Sequence, residues 1–129
     1  MIKRVNILIV DDSVSIRRMI RNVVNDLVAE VYECGDGSEA LTAYREHRPD
    51  WVLMDIRMKQ MNGFEATRQI KAAYPAARII MVTVYKGDDM KDAARAAGAS
   101  AYIVKDNLQE LYLILAKRTD DRPFQPMAK

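Results

Sequence analysis

Short apolar runs alternate with helical stripes along the whole of this chain, and that alternation leaves few folds open. The runs are Val5–Val10, residues 30–34, Trp51–Met54, residues 78–83 and Ala101–Val104. Each is too short for a lone helix and reads as a strand. Trp51-Val52-Leu53-Met54 shows no polar alternation, which predicts a strand buried on both faces.

Between the strands the period changes. Ile16, Met19, Ile20, Val23, Val24 and Leu27 form a core-facing stripe, with Arg17, Arg18, Arg21 and Asn22 opposite and Ser13 as N-cap. Asp36 followed by Glu39 resembles a capping box for a second helix carrying Ala40, Leu41 and Tyr44, which Pro49 stops. Asn62-Gly63, with Glu65 in reach of a capping role, opens a third helix with core contacts Phe64, Ile70 and Ala73. The fourth, after Gly87, is alanine-rich with Met90 as its large apolar group, so it is expected to pack loosely. Gly98 suits its C′ position. The fifth carries Leu108, Leu111, Tyr112 and Leu115.

Strand and helix alternating in this way predict an α/β protein with a parallel sheet covered on both faces. With right-handed crossovers, the expected form is a flavodoxin-like (βα)5 three-layer sandwich of strand order 2-1-3-4-5. Residues 1–117 are expected to form one domain. Residues 118–129, with two prolines, charges and no periodicity, read as a flexible tail or the start of a linker.

Composition removes several functions. Lys plus Arg number 20 against 18 Asp plus Glu, and no basic stripe with interleaved aromatics appears, so direct nucleic-acid binding by this domain is not expected. No apolar stretch approaches the roughly 20 residues needed to span a bilayer. Val5–Val10 is too short for a signal sequence core. A cytoplasmic protein without membrane attachment is expected. Cys34, the one cysteine, excludes an intrachain disulfide and reads as a small buried hydrophobe. His47, the one histidine, reads as a surface or C-cap residue.

The residues that end the strands carry the chemistry. Strand one ends at Asp11-Asp12, strand three at Asp55, strand four at Thr83 and strand five at Lys105. A parallel sheet puts all of them on one edge, where open α/β folds bind ligands. Singly, the Asp pair reads as a helix cap, Thr83 as a β-former and Lys105 as a solvated charge. Together they bring three carboxylates, a hydroxyl and an ammonium to one place. Clustered carboxylates resist ionising without a cation. Hard oxygen ligands with incomplete protein coordination suit Mg²⁺ (or Mn²⁺), which shares substrate phosphate. Asp55, on the central strand, is then the natural nucleophile for a phosphoryl group, with Lys105 and Thr83 contacting phosphoryl oxygens.

Ile7-Leu8-Ile9-Val10-Asp11-Asp12-Ser13, Met54-Asp55-Ile56-Arg57-Met58 with Asn62-Gly63, Val82-Thr83, Gly98-Ala99 and Tyr102-Ile103-Val104-Lys105 resemble the receiver domain of two-component response regulators. The resemblance covers residues 5–117. It implies that Asp55 accepts a phosphoryl group from a sensor histidine kinase or a histidine phosphotransfer protein. It implies that Asp12 holds the metal directly, Asp11 largely through water, and that the Arg57 backbone carbonyl completes the protein ligands with Asp55. Thr83 and Tyr102 would be the switch pair, altering the face made by helix four, strand five and helix five for an output partner or a homodimer. Arg57 and Tyr85 would tune dephosphorylation. Such a chain is a switch that catalyses only its own phosphorylation and dephosphorylation.

Two positions depart from the family. Asp106 follows Lys105 where proline is usual, so the bond is either trans or held cis under strain. Receivers of one class of helix-turn-helix regulators also carry Lys-Asp here. Lys59 stands at a common proline position, which predicts a more mobile loop after Asp55. The alternatives are the receiver portion of a longer DNA-binding transcriptional regulator and a non-phosphorylated binding module. A haloacid-dehalogenase-like phosphohydrolase fits less well, because Asp11-Asp12-Ser13 lacks the Asp-x-Asp spacing after strand one. A flavin protein fits least, since no Gly/Ser/Thr-rich phosphate loop follows that strand.

Overall fold

The computed structural model describes residues 4–117. The expected tail, residues 118–129, lies outside the described residues. In chain order come β1 (Val5–Val10), α1 (Val14–Val24), β2 (Val28–Cys34), α2 (Ala40–His47), β3 (Trp51–Met54), α3 (Gly63–Ala73), β4 (Ile79–Thr83), α4 (Asp88–Ala97), β5 (Ala101–Val104) and α5 (Leu108–Lys117). The strands pair in parallel in the order β2-β1-β3-β4-β5, as expected.

The pleat of β1 shows how the sheet is covered. Ile7 and Ile9 join Ile20, Val24, Leu108, Leu111 and Leu115, so α1 and α5 cover one face. Leu8 and Val10 point the other way, into a cluster with Ala40, Tyr44, Ala66, Ile70 and Ala94 from α2, α3 and α4. Every residue of β3 is buried, in keeping with its unbroken apolar run. At roughly 1.5–3 kcal/mol for each fully buried large side chain, these two cores supply the main driving force for folding.

Several local expectations need correction. Met19 is 47% exposed, because α1 turns the line through Ile20 and Val24 toward the sheet and leaves Met19 on its flank. Leu27 is buried, but from a 3-10 turn (Asn25–Leu27) rather than from α1. In α3, Ala73 is exposed and Thr67 is buried instead, its hydroxyl 3.7 Å from Met81 Sδ. His47 is exposed, as a surface residue is expected to be, and stacks on Tyr32 with ring centroids 3.8 Å apart, while Arg48 takes the left-handed C-cap of α2. Asp36 and Glu39 do not form a capping box: Asp36 accepts from Ser38 N, and Glu39 Oε1 accepts from Gly35 N. Asn62 does cap α3, accepting from Glu65 N, and Gly98 follows α4 in the left-handed region. Helix α4 buries Ala94 and Ala97, with Met90 half-buried, so few apolar atoms hold it to the sheet. None of the helices among the described residues is long and apolar enough to cross a membrane.

Candidate functional site

Parallel pairing carries the strands to one edge, where the residues just past the tips of β1, β3 and β5 and the last residue of β4 lie. Asp11 continues the β1 ladder by donating its N–H to the Cys34 carbonyl at 3.1 Å, and Asp55 donates to Val10 at 2.9 Å. The two carboxylates are thus hung from adjacent strands. Both are buried, at 2% and 8% exposure, while Asp12 is exposed. Carboxylate oxygens of Asp11, Asp12 and Asp55 lie within 4.8 Å of one another.

Lys105 enters from the tip of β5. Its Nζ lies 2.8 Å from Asp11 Oδ2 and 3.3 Å from Asp55 Oδ1. Burial works against the ammonium, yet its close pairing with Asp11 and Asp55 holds its pKa above the ordinary lysine value. Burial, and then the Asp11 charge, push the Asp55 carboxyl above the usual carboxylate range, against the pull of Lys105. The Lys105 ammonium therefore faces a pair of buried carboxylates and does not fully compensate them.

The shape of the acidic loop is held from outside. Ser13 N donates to Asp11 Oδ1 at 2.9 Å, and Arg17 Nη1 donates to the Asp11 carbonyl at 2.5 Å. Arg17 Nε bonds Glu33 on β2 at 2.7 Å. Arg17 therefore does not simply fall on the solvent side of α1, as its place in the helical pattern implies. Its long side chain reaches back to the site and ties Asp11 to the sheet. Gly63 closes the other side. Its N–H bonds the Ile56 carbonyl at 2.7 Å, and a Cβ there would lie 2.0 Å from the Asp55 carbonyl oxygen.

The donor set can be tested against a divalent cation. Asp11 Oδ2 is buried and meets Lys105 as an ion pair without an aligned hydrogen bond, so this oxygen retains capacity for a cation. Among the described residues the clustered side-chain donors are the carboxylate oxygens of Asp11, Asp12 and Asp55, of which Asp12 opens to solvent. Hard cations that keep several waters prefer such a set. The residues fit.

Thr83 is fully buried at the tip of β4, in register with Val104, the residue before Lys105. Its Oγ1 accepts from Tyr85 N at 3.3 Å. Tyr102, on β5, is 1% exposed and donates its hydroxyl to the Tyr85 carbonyl at 2.7 Å. Burial pushes the phenol up to about 12, so it stays a donor. Tyr85 thus touches both residues of the expected switch pair. The Arg57 guanidinium lies over the Tyr85 ring, 5.1 Å from its centroid. No cis peptide occurs among the described residues, so Lys105–Asp106 is trans. Cys34 is buried, and its burial pushes the thiol up to about 11, which suits a hydrophobe rather than a nucleophile. Asp36, expected only as a cap, also accepts from Gln60 and Met61 in the loop after Asp55; partners 24 and 25 residues away leave no local sequence signal.

Residues 7–116 match the family model described as the response regulator receiver domain. The chain is 43% identical over 100 residues to the chemotaxis protein CheY of Listeria monocytogenes, covering 77% of this chain and 84% of that protein. Among solved structures it is similar to a LuxR-family two-component response regulator from Aurantimonas sp., with a TM-score of 0.82 and 34% identity over 95% of this chain and 90% of that one. It is also similar to the chemotaxis protein CheY4 of Vibrio cholerae, with a TM-score of 0.79 and 32% identity over 90% and 98% of the two chains.

Proposed function

The chain belongs to the response regulator receiver family of two-component signalling, and on that premise we propose that it is a switch thrown by Mg²⁺-dependent phosphorylation of Asp55. The observation that carries this reading is the buried Asp11–Asp55 pair facing the Lys105 ammonium.

The incoming donor is a phosphohistidine of a sensor kinase or a histidine phosphotransfer protein. A carboxylate oxygen of Asp55 attacks phosphorus as the P–N bond breaks. The electron pair leaves on the imidazole nitrogen, which is then protonated. Asp11, Asp12, Asp55 and the Arg57 backbone carbonyl would hold Mg²⁺, whose charge lets an anionic phosphoryl group approach an anionic carboxylate. Lys105 pairs with a phosphoryl oxygen, exchanging part of its contact with Asp11 for the new charge. Positioning and charge neutralisation are most of what phosphoryl transfer needs.

Readout runs through Tyr85. The Thr83 hydroxyl turns from the Tyr85 amide toward the phosphoryl group, and the Tyr102 hydroxyl keeps its hold on the Tyr85 carbonyl. The β4–α4 loop follows, and α4, held by few apolar atoms, moves with it. The α4-β5-α5 face then presents a changed surface to an output partner or to a second copy. The Arg57 guanidinium, two residues after Asp55, lies over the Tyr85 ring, and together the two would limit the approach of water and slow self-dephosphorylation.

A phosphorylated histidine phosphotransfer protein tests the reading. With Mg²⁺ its label should pass to the wild-type chain and not to Asp55→Asn. Equal transfer to the variant would overturn the assignment.

A further inference from the structure

The loop that leaves Asp55, residues 56–62, contains no proline, and its middle is fixed from a different element. Asp36, in the turn after β2, receives backbone N–H groups from Gln60 at 2.9 Å on Oδ1, and from Met61 at 3.2 Å and Ser38 at 2.9 Å on Oδ2. Burial opposes the charged form, yet these bonds hold the carboxyl well below the usual range, at about 2. Gly37 brings the turn into direct contact with the same loop. A Cβ there would lie 2.4 Å from the Met61 carbonyl oxygen and 3.1 Å from that of Asn62. The loop is therefore anchored at both ends by Asp55 and Gly63, and in its middle by Asp36.

We propose that Asp36 is a positioning residue for the phosphoryl pocket: by fixing the Gln60 and Met61 amides, it holds the loop after Asp55 in the form that takes a divalent cation. The inference rests on the receiver reading above. A loop left free would have to be ordered when the cation binds, and the lost chain entropy would weaken binding. With Asp36 in place that ordering is complete on folding. A proline within the loop would restrict the same backbone by another means.

The test uses the full chain, with Mg²⁺ alone as probe in calorimetry and acetyl phosphate plus Mg²⁺ for labelling. Asp36→Asn should stay folded, bind Mg²⁺ about tenfold more weakly, and need correspondingly more Mg²⁺ for half-maximal labelling, as happens when support behind metal ligands is lost. Hydrogen exchange at Gln60 and Met61 should quicken. Leu115→Ala, in the core under α5, serves as a destabilised control and should leave the Mg²⁺ affinity unchanged. In the Asp36→Asn background, Lys59→Pro should recover affinity beyond Lys59→Gln, which removes the same charge without stiffening the chain. An unmoved Mg²⁺ affinity in Asp36→Asn, an equal loss in Leu115→Ala, or no gain of proline over glutamine would each overturn the positioning role. A folded wild-type chain that neither binds Mg²⁺ nor takes label would overturn the receiver reading together with it.

Discussion

Lys105 Nζ stands 2.8 Å from Asp11 Oδ2, and so joins the tip of β5 to the tip of β1 across the two strands between them. This contact is the electrostatic centre of the candidate site. It gives an otherwise unfavourable pair of buried carboxylates one shared counter-charge.

Replacing Lys105 by Met keeps most of the stem and removes that charge. Breaking a buried pair from one side costs about 3–5 kcal/mol in the extreme, and less where water reaches the survivors. With Asp12 exposed beside the pair, we expect about 1–2 kcal/mol in a urea titration, since part of the lost charge is replaced by water. Labelling by acetyl phosphate should fall at least about tenfold, as expected when one electrostatic contact to a developing charge is removed. A Lys105→Met chain that labels at the wild-type rate would contradict the role given to the ammonium.

Asp55 is ionised at a cost, because burial and Asp11 raise its pKa. A raised carboxyl pKa destabilises the folded state above the folded pKa, and the penalty disappears as pH falls through the carboxylate range. Without divalent cation, Asp55→Asn should therefore be more stable than wild type at pH 7, by about 1 kcal/mol, a common gain when a functional group is neutralised. The gain should shrink toward pH 3. Chemical denaturation in EDTA at several pH values measures it.

Asp36 has the opposite sign. Its folded pKa of about 2 lies below the unfolded value near 3.9, so its contribution is full above pH 4 and is lost as pH falls toward 2. Asp36→Ala should cost about 2 kcal/mol at neutral pH, with the gap to wild type narrowing below pH 4. A gap that stays constant down to pH 2 would mean that the loss comes from packing rather than from the charged acceptor.

Tyr102→Phe deletes the donor to the Tyr85 carbonyl and leaves the ring in place. The expected loss is about 1 kcal/mol in unfolding free energy. Asp55 should still accept label, because the hydroxyl bonds Tyr85 and not the carboxylates. Loss of labelling with retained stability would place Tyr102 in the chemistry itself.

The architecture was legible because each buried strand stops abruptly at a polar residue. Val10 before Asp11, Met54 before Asp55 and Val104 before Lys105 mark strand ends without ambiguity, and a parallel sheet turns those ends into neighbours. Residues whose partners are distant in the chain were not legible. Asp36 reads as a local cap, while its decisive partners lie in the loop after Asp55. Arg17 sits on the polar side of a helical pattern, yet a flexible stem carries its guanidinium back to Asp11 and Glu33. Periodicity also cannot separate the centre of a buried stripe from its flank, which is why Met19 and Ala73 were expected inside. Thr67 was missed for the converse reason: a hydroxyl looks polar even where it fills a core position.

Intact-mass measurement after incubation with acetyl phosphate tests the central claim most directly. The wild-type chain with Mg²⁺ should gain the mass of a single phosphoryl group, the gain should vanish with EDTA, and Asp55→Asn should show none. A folded wild-type chain that gains no mass, or an Asp55→Asn chain that gains as much as wild type, would contradict the account.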